Sequence, residues 1–206
     1  MKKNICTIIC GAPCGGISPE LAEGFVIAAD RGCGYALRAG ITPDLVAGDL
    51  DSFCGEIPEG IELVRVPPEK DDTDAWLAAE IAVERGFTRL RFLAALGGRL
   101  DHTFANFQMI YGLLMRGVWA ELYGECERAY MVSNGAAEIP RYEGYLSVFA
   151  FGGSAVVSEE GTKYPLDRHR LFESFPLGVS NEITAEKAVV TVHSGTALII
   201  EHRAKD

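Results

Sequence analysis

The chain is predicted to be an α/β protein: an N-terminal, mostly parallel sheet with helices on both faces, followed by a smaller all-β sandwich or barrel. Three observations carry this reading. Residues 1 to about 120 alternate short β-forming runs with stretches of helical periodicity, which implies parallel strands joined by covering helices. After about residue 124 the helical periodicity stops, and short β-rich runs follow, separated by turn residues. Four aspartate clusters lie in the first part, three of them directly after an apolar run. An open α/β sheet binds its ligands in the crevice beyond the carboxyl ends of its strands.

Taken in order, the candidate strands of the first part are Ile5–Cys10, Phe25–Ala29, Leu45–Ala47, Ile61–Val66 and Leu90–Leu96, with a further run at Ala120–Tyr123. Residues 72–85 read as a helix carrying Trp76, Ala79 and Val83 on one stripe, with Leu77 and Ile81 beside it. Asp71 or Asp72 is placed to cap its first turn, and Gly86 to stop it. A second helix over 101–116 sets Phe104, Phe107, Tyr111 and Leu114 at helical spacing, with Gly117 after it. The tail offers β-runs at Ala129–Val132, Tyr145–Phe151, Ala155–Ser158, Ala188–His193 and Ala197–Glu201. Breaks are expected at Ser133-Asn-Gly, Gly152-Gly-Ser and Ser194-Gly-Thr. Two domains follow, residues 1–124 and 125–206, with the boundary near Glu121–Glu127.

At 206 residues, 48% hydrophobic and 23% charged, the chain can bury a sizeable core. A net charge of −10 argues against a nucleic-acid partner, because phosphate contacts need a positive surface. It leaves a nucleotide substrate open, since a bound cation reverses the local sign. No apolar run reaches transmembrane length, and the apolar start halts at Gly11-Ala-Pro, so a soluble cytoplasmic protein is expected. The six cysteines form neither a Cys-x-x-Cys pair nor a zinc-like Cys/His set. Cys6, Cys10 and Cys14 therefore read as structural thiols.

The clusters carry the chemistry. Asp49 and Asp51 stand two apart on an extended segment and point the same way, a geometry that suits Mg²⁺ or, equally, a turn with acidic caps. Asp30 follows a strand as ligand, base or terminator, and Arg31 beside it can meet phosphate. Asp71-Asp72-Thr73-Asp74 exceeds what helix capping needs, and Lys70 offers a further phosphate contact. In Gly97-Gly98-Arg99-Leu100-Asp101-His102 the glycines admit close backbone approach. Arg99 can neutralise charge on a transferring phosphoryl group, Asp101 can hold metal or orient a nucleophile, and His102 reads as a hydrogen-bonding partner in a helix's first turn.

Ala-Ala-Asp-Arg-Gly, Gly-Asp-Leu-Asp-Ser, Lys-Asp-Asp-Thr-Asp and Gly-Gly-Arg-Leu-Asp-His, in this order and spacing, resemble the signature of thiamine pyrophosphokinases. Gly161-Thr162-Lys163-Tyr164-Pro165-Leu166 and Gly178-Val179-Ser180-Asn181-Glu182 are similar to that family's thiamine-site segment. The resemblance implies transfer of the β,γ-pyrophosphoryl group of ATP to the hydroxyl of thiamine, giving thiamine diphosphate and AMP. It also implies Mg²⁺ and a homodimer whose sites lie at the interface. Carried over by motif, Asp49, Asp51, Asp74 and Asp101 handle Mg²⁺ and pyrophosphate. Asp30, Arg31, Lys70, Asp71 and His102 line the nucleotide site, Thr73 supports the metal site, and Arg99 stabilises the transferring group. Tyr164, Ser180 and Asn181 receive the vitamin, with Tyr164 where the family places an aromatic. The competing reading is a metal-dependent nucleotide or sugar-phosphate phosphohydrolase, in which the same carboxylates position water.

Overall fold

A computed structural model describes residues 4–48, 57–65 and 73–204. The protein is a mixed α/β fold with extensive sheet and few helices, and it divides into two compact units, Met1–Glu125 and Cys126–Asp206.

The first unit is built on six parallel strands: β1 (Ile5–Ile9), β2 (Phe25–Ala29), β3 (Leu45–Gly48), β4 (Glu62–Arg65), β5 (Arg89–Leu93) and β6 (Trp119–Tyr123). Their order is β6-β5-β1-β2-β3-β4, every pairing parallel. All residues of β1 and β3 are buried, as expected of strands covered on both faces. The chain runs outward from β1 through β2, β3 and β4, then crosses to β5 and β6 on the other side. The direction of travel therefore reverses between β1 and β5, and that is where such sheets open a crevice for ligands.

Among the described residues three α-helices connect the strands: α1 (Gly32–Arg38), α2 (Asp74–Glu84) and α3 (Leu100–Met115). Ala36 of α1 packs with Ile9, Val26 and Leu93, and Cys33 with Ala28 and Val46. The periodicities of α2 and α3 are helical as expected, but the buried stripes differ. In α2 the buried residues are Ala75, Ala78, Ala79 and Ala82, while Trp76 is only partly buried. Small side chains let the helix lie close to the sheet, and Trp76 instead approaches α3 at Gly112. In α3 the buried set is Asn106, Met109, Ile110 and Leu113, and Phe104 is exposed. The cap of α2 is also corrected. Thr73 is the N-cap, its hydroxyl accepting from Trp76 N–H at 3.2 Å, whereas Asp71 and Asp72 lie outside the described residues.

The second unit holds β7 (Glu127–Pro140), β8 (Gly144–Ala150), β9 (Ser154–Glu160), β10 (Leu166–Phe172) and β11 (Lys187–Arg203). The long β11 pairs antiparallel with β7 along its whole length. Its other edge takes β9 over Val189–Ser194 and β8 over Ala197–Arg203, and β10 extends the sheet from β9. Two expected breaks are therefore corrected. Ser133-Asn-Gly and Ser194-Gly-Thr are not turns between strands but a shared irregularity inside β7 and β11, where the register slips between Val192 and Thr196. Gly195 has φ 77°, and a Cβ there would lie 2.2 Å from the Ser154 carbonyl oxygen. A glycine bulge bends a strand without ending it. Gly152-Gly-Ser is a connection, between β8 and β9.

Candidate active site

The loops after β1 and β5 meet at the reversal point. Cys10 N–H donates to the Leu93 carbonyl at 2.8 Å and Ala12 N–H to that of Ala94 at 3.0 Å. Ala94, the first residue past β5, adopts a left-handed φ of 51°, and Asp30, the first past β2, one of 44°. Such conformations in non-glycine residues persist only where the surroundings hold them, and they cluster at functional sites. Gly98 has φ 69°, and a Cβ on it would lie 2.5 Å from the Pro13 ring. The close approach that the glycine pair permits is thus, in this structure, to the loop after β1. That loop, Gly11-Ala12-Pro13, had served only as the end of a strand in the sequence reading. Its place in the site depends on strand order, which no local pattern reveals.

Around this point stand several of the expected residues. Asp30 is buried and tied to the end of β3 by its N–H, which donates to the Ala47 carbonyl at 2.8 Å. Arg31 is exposed and its Cβ crowds Gly11, which places it beside the loop after β1. Asp74 opens α2 close enough to Cys10 to act on that thiol. Burial first, and the Asp74 charge second, push Cys10 up to about 12. This thiol is a structural group, not a nucleophile.

Arg99 is the N-cap of α3, and its guanidinium grips Asp101 with two bonds, Nε to Oδ1 at 3.1 Å and Nη2 to Oδ2 at 2.5 Å. His102 N–H also donates to Asp101 Oδ1 at 3.0 Å. The bond from Arg99 is the main reason the Asp101 carboxyl is held below its ordinary range, and Asp101 raises Arg99 in turn. His102 enters through its backbone. Behind them, buried Asn106 donates from Nδ2 to the Ala95 carbonyl at 2.7 Å, fastening α3 to the loop after β5. Sequence reasoning missed Asn106, since a lone polar residue on an apolar stripe carries no signal of its partner.

Asp49, Asp51, Lys70 and Asp71 lie outside the described residues. Among the described residues no three His, Cys, Asp or Glu side chains form a group able to hold a metal. Thr73 is committed to capping α2.

In the second unit the structure gathers Tyr164 and Asn181. Asn181 is buried and pairs through its backbone with Leu146 of β8. Tyr164 lies in the β9–β10 connection, the residue 63% exposed, and the Lys163 ammonium stands 5.7 Å from the ring centre. Ser180 is exposed with a left-handed φ of 59°, and its N–H donates to Ser147 Oγ at 3.0 Å.

Comparison with known proteins now bears on this arrangement. The family described as "Thiamin pyrophosphokinase, catalytic domain" matches residues 21–120, and "Thiamin pyrophosphokinase, vitamin B1 binding domain" matches residues 136–199. The chain belongs to the thiamin pyrophosphokinase family. A thiamine pyrophosphokinase of Bacillus subtilis (strain 168) is 28% identical over 182 residues, 84% of this chain and 85% of that protein. The crystal structure of thiamine pyrophosphokinase from Bacillus subtilis superposes with a TM-score of 0.87 at 24% identity, covering 98% of this chain and all of the other. That of a thiamin pyrophosphokinase family protein from Enterococcus faecalis gives 0.83 at 26% identity, with 98% and 99% covered. The two family descriptions fall on the two units in chain order.

Proposed function

We propose that this chain transfers the β,γ-pyrophosphoryl group of ATP to the hydroxyl of thiamine, giving thiamine diphosphate and AMP. Membership of the family over both of its domains carries the activity. The observation that carries the site is the convergence of the loops after β1 and β5, with Asp30, Asp74 and the Arg99–Asp101 pair around them. The hydrolase alternative has no support from the comparisons.

Pyrophosphoryl transfer needs positioning and electrostatic stabilisation more than covalent chemistry. The thiamine oxygen bonds to the β-phosphorus with loss of its proton, and the bond to the α-phosphate breaks as AMP leaves. Arg99 presents a planar fork that matches phosphate oxygens two at a time. Here the fork grips Asp101, so in our reading a substrate phosphate exchanges for that carboxylate, which would then be free to serve as an oxygen ligand. The donor set is made of carboxylates, hard oxygen ligands suited to Mg²⁺. Asp49, Asp51, Asp74 and Asp101 would hold it, with Asp30, Arg31, Lys70, Asp71 and His102 around the nucleotide. When bound, such a cation neutralises charge on the phosphates.

In the second unit Tyr164 and Ser180 face the vitamin. The exposed ring suits a cationic thiazolium. A homodimer is supported by the apolar side chains left exposed, Leu100 and Phe104 on α3 and Phe172, Phe175 and Val179 in the second unit. No helix among the described residues is long and apolar enough to cross a membrane. The deciding experiment is product analysis of ATP and Mg²⁺ with and without thiamine. AMP and thiamine diphosphate are expected in equal amounts, only with thiamine present. ADP or phosphate formed regardless of thiamine would overturn the reading.

A further inference from the structure

The side-chain amide of Asn181 has no hydrogen-bonding capacity left for a ligand. Its Oδ1 accepts from Tyr164 N–H at 3.0 Å and from Glu182 N–H at 2.9 Å. Its Nδ2 donates to the Tyr164 carbonyl at 2.9 Å and to Glu159 Oε2 at 3.0 Å. A side-chain amide has two donor hydrogens and two acceptor lone pairs, and all four are used. The backbone N–H and carbonyl of Asn181 pair with Leu146. Both main-chain polar groups of Tyr164 are therefore gripped by one side chain, while the Tyr164 ring stays exposed.

Glu159 supplies the buried end of the grip. Its side chain lies in the second unit's interior, with the residue 2% exposed at the end of β9. A carboxylate only accepts, so it must face the NH₂ of Asn181 and not its oxygen. The Tyr164 carbonyl on the same NH₂, and the Tyr164 and Glu182 N–H groups on Oδ1, require the same orientation. With the amide reversed, an oxygen would face the carboxylate and an NH₂ would face the Tyr164 and Glu182 N–H groups, and every bond would be lost. Burying a carboxylate is costly unless it is hydrogen-bonded, so an apolar residue would serve packing better.

We propose that Asn181 is a positioning residue for thiamine, holding the backbone of Tyr164 from its buried contact with Glu159, and that it acts by this grip and not by touching the vitamin. The inference rests on the reading of Tyr164 as the vitamin's aromatic partner.

The test exchanges donor and acceptor between the two side chains. Asn181→Asp sets an oxygen against both the Tyr164 carbonyl and the Glu159 carboxylate, where an NH₂ had donated, and should raise the KM for thiamine about tenfold, with the KM for ATP unchanged. Adding Glu159→Gln supplies a donor for the new carboxylate but none for the Tyr164 carbonyl, so the melting temperature should recover while the thiamine KM stays raised. In a Tyr164→Ala background Asn181→Asp should have little further effect. A merely structural role would lower the melting temperature without separating the two KM values. The proposal is overturned if the double variant regains the parent's thiamine KM, if both KM values move together, or if Asn181→Asp acts as strongly without the ring. If Tyr164→Ala itself leaves the thiamine KM unchanged, the assignment of the vitamin site fails as well.

Discussion

The Arg99–Asp101 pair shows how one contact serves two states. Both side chains are exposed, so the bond adds little to folding in water. Its geometry matters more, since it stores the guanidinium fork beside the reversal point of the sheet with its partner already aligned. The depressed Asp101 and the raised Arg99 keep both groups charged throughout the working range. Arg99→Ala should lower kcat by about 10²–10³, the usual loss when one transition-state donor is removed. Its melting temperature should match the parent's. Arg99→Lys should recover only part of the rate, because an ammonium lacks the fork. Initial rates of thiamine diphosphate formation check this, and an Arg99→Ala enzyme within a few-fold of the parent would remove Arg99 from the transferring group. The residue types of this motif were readable in the sequence. That Arg99 and Asp101 engage each other was not, because an ion pair two residues apart depends on the backbone turn at the start of α3.

At the scale of elements, Thr73 separates capping from catalysis. The resemblance places it at the metal site, yet its hydroxyl is engaged with Trp76 N–H at the start of α2. Loss of an N-cap costs about 1 kcal/mol. Thr73→Ala should therefore reduce stability by about that amount in denaturant unfolding, and Thr73→Ser, which keeps the oxygen, should restore it. A variant that loses activity with no change in stability would assign the hydroxyl to the site instead. Element type was well announced by period, and β2 matches its expected span, Phe25–Ala29. What hid was tertiary. The buried stripe of α2 is made of alanines, which carry little hydrophobic contrast, so Trp76 and Val83 drew the eye to the wrong face. Helix α1 spans only seven residues, two of them glycine, too few for a helical period to stand out. The bulge shared by β7 and β11 used the same residue types as a turn, and only the partner strand decides between them.

For the molecule as a whole, the buried carboxylate of Glu159 couples stability to pH. Burial raises it above the ordinary carboxylate value, and the hydrogen bond from Asn181 offsets only part of that rise. Between its unfolded and folded values the native state holds a proton that the unfolded chain has released. Stability then falls as pH rises through that window, by at most about 1.4 kcal/mol per pH unit for one proton. Below the unfolded value both states are protonated and the contribution is fully present; above the folded value it is gone. Glu159→Gln has nothing to titrate. Compared with the parent in the absence of substrates, it should melt higher at pH 8, and the gap should close as the pH is lowered toward 4. The other carboxylates of this acidic chain titrate in both proteins and cancel in the difference. Melting temperatures of the pair across that range decide the matter. A gap that does not vary with pH would mean that Glu159 is ionised as readily in the folded chain as in the unfolded one, and that its burial is relieved by partners beyond Asn181.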